Sequence, residues 1–131
     1  MPDALQPARD MWAADAASAA LGMQLVELGP GEARVSMAVR PDMVNGHDLC
    51  HGGLVATLAD SAFALACNSR GPVTVAAGFA VDLLEPARLG QVLDAHAREV
   101  VLRGRSGLYD VTVRAGDTVI AEFRGRSRSL R

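Results

Sequence analysis

Residues 50–69 read CHGGLVATLADSAFALACNS. Past its two glycines the run is apolar at most positions, and a single carboxylate, Asp60, stands near its middle. Such a stretch predicts a long central helix over 51–69, covered on most sides and closed by Arg70-Gly71-Pro72. An ionised carboxylate in that setting costs several kcal/mol unless it is paired or its pKa rises. Asp60 is therefore either neutralised by structure or kept for chemistry. On a helical wheel of about 100° per residue, Gly53, Thr57, Asp60, Ser61 and Asn68 fall on one stripe roughly 100° wide. Small hydroxyls and amides are easily satisfied inside a fold, so Thr57, Ser61 and Asn68 read as structural; Asp60 does not fit that reading as well.

The glycines at the start of the helix matter for a second reason. His51-Gly52-Gly53 leaves backbone N–H groups bare at the positive end of the helix dipole, where they suit an anion or the oxyanion developing on a carbonyl. A plain glycine turn into a helix would look the same.

Working outward, the flanking pattern is mostly strand. Residues 32–40, EARVSMAVR, alternate with Ala33, Val35, Met37 and Val39 on one face, and Pro41 ends them. A polar loop, PDMVNGHDLC, follows, with Asn45-Gly46 as its turn signal. Beyond the helix come four runs joined by short turns, at 73–85, 91–103, 107–114 and 118–128. In the first, Val73, Val75, Phe79, Val81 and Leu83 are expected on one face with Ala76, Gly78 and Ala80 opposite. In the second, the alternation slips at Glu99-Val100, which predicts a bulge. Residues 7–21 are Ala-rich and predict one N-terminal helix stopped by Gly22. Consecutive alternating strands and one buried helix imply an α+β fold, an antiparallel sheet wrapped around the long helix, as one domain over 1–131.

Composition narrows the function. The chain has 131 residues, half of them hydrophobic, and a net charge of −2. No basic run precedes an apolar block at the N-terminus, so no secretion signal is expected. The apolar run 52–67 is shorter than the ~20 residues a membrane span needs, and Asp60 interrupts it. Two cysteines, Cys50 and Cys67, are too few for a disulfide framework and read as free thiols of a cytoplasmic protein. All 13 basic residues are arginine, which reads as gene base composition. Eight of them lie in 98–131 against four acids. With few aromatics to stack bases, this does not suit nucleic acid, but it could receive an anionic group on a small ligand. His47, Asp48, Cys50 and His51 lie close in sequence, yet no second ligand pair follows at zinc spacing, so no metal is expected. Ser61 lacks a nucleophile elbow.

The run NGHDLCHGGLVATLADSAFALACNS, residues 45–69, resembles the signature of hotdog-fold acyl-CoA thioesterases, in particular the PaaI type that acts on phenylacetyl-CoA and its hydroxylated relatives. VDLLEP and the FRGRS ending fit the same family, so the resemblance spans about 20–128. It implies a sheet around a central helix and a homo-oligomer, with dimers pairing sheets edge to edge and often joining as a homotetramer. It also implies that no cofactor is needed. Asp60 matches the family's catalytic carboxylate, as base for water or as nucleophile. Gly53 matches the N–H that polarises the thioester carbonyl, supplied in the family by the opposite subunit. Asn45 and His51 match polar residues near the thioester, and Ser61 the Ser or Thr beside the carboxylate. Arg103, Arg105, Arg124 and Arg126 are candidates for the CoA phosphates. The chain departs mildly at Asp48, where a small residue is common, and at Leu54-Val55-Ala56, which is less bulky than usual. Two other classes remain open: a hotdog hydratase or dehydratase using His51 and Asp60, and a non-catalytic acyl-CoA-binding module.

Overall fold

Gly52–Asn68 form the predicted central helix because little in the run resists it beyond its first two glycines: no proline, one threonine, one valine, and five alanines. A computed structural model describes residues 3–130. In chain order it contains α1 (Gln6–Ala13), α2 (Ala16–Ala20), β1 (Gln24–Gly29), β2 (Glu32–Ala38), a 3-10 turn (Pro41–Met43), α3 (Gly52–Asn68), β3 (Thr74–Leu83), β4 (Val92–Arg103), β5 (Ser106–Ala115) and β6 (Thr118–Ser129). The strands make one antiparallel sheet in the order β1-β2-β4-β5-β6-β3. Helix α3 lies on its inner face, and the two surfaces share one core.

The alternation of the sequence survives as alternation of burial. Ala33, Val35, Met37 and Val39 are all buried, as are Leu93, Ala95 and Ala97 on β4 and Tyr109, Val111 and Val113 on β5. The ring of Phe63 on α3 meets Tyr109 and Phe123 with centroids 5.6 and 5.8 Å away. Truncating such a ring costs about 3–5 kcal/mol. Gly125 is needed opposite it, since a Cβ there would come within 2.7 Å of the Phe63 ring. The bulge expected on β4 is present, between Glu99 and Val101.

Three features depart from the sequence reading. The single N-terminal helix over 7–21 is two helices: Asp15 takes an extended conformation (φ −80°, ψ 91°) and caps α2 with its own side chain, accepting from the Ser18 N–H. Strand β1 is an addition, because QLVELG carries too short an alternation to separate it from loop. On β3 the register shifts between Ala76 and Gly78, so the two halves of the strand have opposite parity. Thr74 and Ala76 therefore share a face with Phe79, Val81 and Leu83, while Val73 and Val75 lie on the other. The expected stripe from Val73 to Leu83 is broken in its middle.

Candidate functional site

The first turn of α3 opens into a cavity of about 250 Å³ lined by Asn45, Cys50, Gly52, Val55, Leu83 and Ala87. Its position is set by backbone hydrogen bonds at the preceding loop. The Cys50 N–H donates to the Ala87 carbonyl (2.8 Å) and the His51 N–H to the Met43 carbonyl (2.9 Å), which bolts the helix entrance to two other segments. The His51 carbonyl then accepts from Leu54 (2.9 Å) and Val55 (3.2 Å), so the N–H groups of Gly52 and Gly53 come too early for any intrahelical acceptor. No side chain among the described residues caps them. Gly53 is exposed, and a Cβ built on it would meet nothing within 4 Å. The sequence demands glycine at 53 for no packing reason, so a close-approaching ligand is the natural explanation.

Asn45 stands at the cavity with half its side chain already committed. Its Oδ1 accepts from the His47 N–H (2.8 Å) and the Leu49 N–H (3.2 Å), which fixes the amide orientation. The NH₂ group has no partner among the described residues. The turn is completed by Asp48 at φ +60°, a conformation Asp tolerates better than most side chains. His51 is exposed beside the entrance, its ring making no hydrogen bond among the described residues. His47, Asp48, Cys50 and His51 do not gather into a ligand set there.

Asp60 lies elsewhere on the helix. Seven residues at 1.5 Å rise put it about 10 Å along the axis from Gly53, outside the cavity. It is half-buried and makes no hydrogen bond among the described residues. Burial raises its pKa above the ordinary carboxylate value, and the nearby Asp15 charge raises it further. Ser61, its neighbour, is buried and bonded to the Ser18 hydroxyl at 2.8 Å. The other polar residues of the stripe are satisfied: the Thr57 hydroxyl donates to the Gly53 carbonyl (2.8 Å), and Asn68 bonds the backbone of Ala64 and Thr74. Within one protomer, then, Asn45 and Gly52 line one cavity, with His51 and Gly53 flanking Gly52 in the chain, while Asp60 and Ser61 form a second locus.

The four arginines separate as well. Arg103 and Arg126, together with Arg128, rim a cavity of about 360 Å³ over Val101 and Leu108 on the outer face of the sheet. Arg105, in the β4–β5 turn, does not line it. Arg124 is engaged: its guanidinium holds Asp110 through two bonds of 2.7 and 2.9 Å, which lowers the Asp110 pKa. The arginine cavity includes Ala77, and the helix-start cavity includes Leu83 at the far end of β3. They are six steps apart along the strand, about 20 Å.

Several residues placed at these loci carry no site role in the sequence reading. Leu83 overhangs the helix start so closely that a Cβ on Gly52 would meet its Cδ1. Cys50 lines the same cavity, its thiol pKa raised by burial. Asp15 and Ser18 reach Asp60 and Ser61 from another element. The D-x-x-S spacing of a helix cap is the available signal for that last pair.

The sequence and the fold have counterparts among known proteins. A family model described as "Thioesterase superfamily" matches residues 47–122. The acyl-coenzyme A thioesterase PaaI of Escherichia coli K12 is 40% identical over 128 residues, covering 97% of this chain and 91% of the relative. Among solved structures, E. coli PaaI, from a phenylacetic acid degradation operon, superposes with a TM-score of 0.95 at 38% identity, covering 98% of this chain and 94% of that one. A point mutant of the phenylacetic acid degradation protein PaaI from Thermus thermophilus gives 0.86 at 41% identity, covering 88% of this chain and 100% of that one. On the family match, the 40% identity and the shared architecture, this chain belongs to the thioesterase superfamily and has its hotdog fold.

Proposed function

We propose that the chain, as a single domain over 1–131, hydrolyses the thioester of an acyl-CoA to free acid and CoA. The acyl group is an aryl-acetyl group such as phenylacetyl or a hydroxylated form. The observation that carries this reading is the contrast along α3: bare N–H groups at Gly52 and Gly53, and an unpaired, half-buried carboxylate two turns on. The 40% identity to a PaaI thioesterase supports it.

The Gly53 N–H donates to the thioester oxygen, and the Asn45 NH₂ group donates nearby. Asp60 takes a proton from water as the water oxygen bonds to the carbonyl carbon; the oxyanion is held at Gly53. Collapse breaks the C–S bond and the proton on Asp60 passes to the departing sulfur, giving acid and CoA thiol. In the covalent variant Asp60 itself attacks, thiolate leaves, and water opens the resulting anhydride at the Asp60 carbonyl, its proton passing to the thiolate. A single turnover in ¹⁸O-labelled water distinguishes them, since only the second leaves label in Asp60.

The separation of the two loci is met by a partner protomer. The β3 edge pairs with no strand among the described residues, and Phe79, Leu83 and Leu84 beside it stay 50%, 54% and 56% exposed. Pairing two copies there would cover apolar surface and bring one Asp60 toward the other copy's Gly53. The active form is thus a homo-oligomer, a dimer or dimer of dimers, working in the cytoplasm, where CoA esters are made. Arg103 and Arg126 hold the CoA phosphates, with Arg105 and Arg124 contributing less.

The test is a panel of aryl and alkyl acyl-CoAs followed by free-thiol release and by light scattering. Thiol release greatest with aryl-acetyl esters, from an oligomer, is the expected result. An enoyl chromophore without thiol release would make the protein a hydratase or dehydratase; binding without turnover would make it a carrier.

A further inference from the structure

Helix α2 places a second carboxylate against the site. Asp15 caps α2, accepting from the Ser18 N–H at Oδ1 (2.9 Å) and from the Ser18 hydroxyl at Oδ2 (2.7 Å). The Ser18 oxygen is 2.8 Å from the Ser61 oxygen, and both serines are buried, at 2% and 8% exposure. An ionised carboxylate only accepts, so the Ser18 proton goes to Asp15. The Ser61 hydroxyl must then donate to Ser18. Its proton is fixed away from Asp60, and the Asp15–Ser18–Ser61 chain has one direction. A cap needs only the first of these bonds; the reach to Ser61, 43 residues away, is extra.

We infer that Asp15 and Ser18 are positioning residues of the thioesterase site, orienting Ser61 beside Asp60 and setting the charge environment in which Asp60 works. The inference rests on the reading of Asp60 as the reacting carboxylate. Asp15 is the charged group acting on Asp60 from the N-terminal helices, and no arginine or histidine opposes it among the described residues. On α3 itself Cys67 is a buried thiol pushed up to about 12, hence neutral, and it feels the Asp60 charge in turn. A like charge nearby disfavours ionisation and makes the carboxylate, once ionised, a stronger base. It follows that α2 and its cap, outside the residues matched by the family model, belong to the working site.

The experiment measures kcat and KM against pH for Asp15→Asn, Asp15→Ser and Ser18→Ala in the full-length protein, with melting temperatures. Asn and Ser both cap helices well, so α2 survives while the charge is lost, and with it the second oxygen that accepts from the Ser18 hydroxyl. Both Asp15 variants should move the acid limb of the kcat profile to lower pH while melting near the parent. Ser18→Ala keeps the charge: its acid limb should stay, while kcat falls roughly three- to tenfold, the rate equivalent of one net hydrogen bond, at unchanged KM. Ser18→Thr should restore it. If both folded Asp15 variants keep the parent's acid limb, or Ser18→Ala keeps its kcat, the inference is overturned. Asp60→Asn run alongside separates the two ideas: if it retains turnover, the Asp60 reading falls; if it is inactive and the Asp15 and Ser18 variants behave as parent, only this inference does.

Discussion

Asp60 and Asn68 sit two turns apart on the same stripe of the same helix, and the fold treats them oppositely. Asn68 is buried and fully used: its NH₂ donates to the Ala64 carbonyl (2.8 Å) and the Thr74 carbonyl (3.0 Å), and its Oδ1 accepts from the Thr74 N–H (2.9 Å). It ties the end of α3 to the start of β3. Asp60 is half-buried, bonded to nothing among the described residues, and has a second carboxylate for company. A polar group present for structure is satisfied; one that is desolvated and left unsatisfied costs stability, and its retention calls for another cause. The two ends of the helix differ in the same sense. Every side chain from Ser61 to Ser69 except Ala64 is buried, while Gly53 at the other end stands open with nothing to pack against.

The contrast can be broken most sharply at Gly53. Proline there deletes an N–H that no group of the fold accepts, at a first-turn position that tolerates it. Gly53→Pro should lower kcat roughly 100-fold or more, the scale of losing one oxyanion donor, with little change in melting temperature. Unchanged kcat would move the donor elsewhere. The opposite outcome is expected at Asn68. Asn68→Ala strands the Thr74 N–H in a buried site and should cost about 2–3 kcal/mol in denaturant unfolding, while the folded protein keeps its kcat. A neutral effect on stability would remove Asn68 from the structural side of the comparison.

The raised pKa of Asp60 gives the contrast a pH dependence. Its folded value lies above the unfolded one, so the native state holds more protons and stability falls as pH rises from the unfolded value through the folded one. Asp60→Asn escapes that loss. Its stability advantage over the parent should be absent at acid pH, below the ordinary carboxylate range, and present at neutral pH. An advantage independent of pH would mean that charge is not the cause. The smallest effects belong to the arginines. Arg103→Gln and Arg126→Gln should each raise KM several-fold at constant kcat, because remote phosphate contacts act about equally in ground and transition states. Arg124→Gln should do less, its guanidinium being already held by Asp110. Equal KM values for all three variants would place the phosphates elsewhere.

Much of this molecule is legible without coordinates. The buried helix and the strands β2, β4, β5 and β6 follow from patterns of period 3.6 and 2, and even the β4 bulge shows as a slip at Glu99-Val100. What fails does so for local reasons. One residue, Asp15, divides an alanine-rich helix by leaving the helical conformation to cap its own second half, and composition alone does not reveal that. The bulge on β3 falls among Ala76, Ala77 and Gly78, where small residues on both sides hide the change of parity. Asp60 and Gly53 stand out because each breaks a local rule: a charge in an apolar helix, a glycine where alanine would serve. Asp15 and Ser18 obey their local rules as cap and core residue, and their approach to Asp60 and Ser61 is a tertiary fact.

The most direct measurement uses one variant and two readouts. Asp60→Asn keeps the shape of the side chain and removes its charge. At neutral pH it should melt at or above the parent's temperature, and its release of CoA thiol from phenylacetyl-CoA should fall by at least ~100-fold. A variant that melts lower and still turns over near the parent's rate would make Asp60 a structural carboxylate and contradict the mechanism.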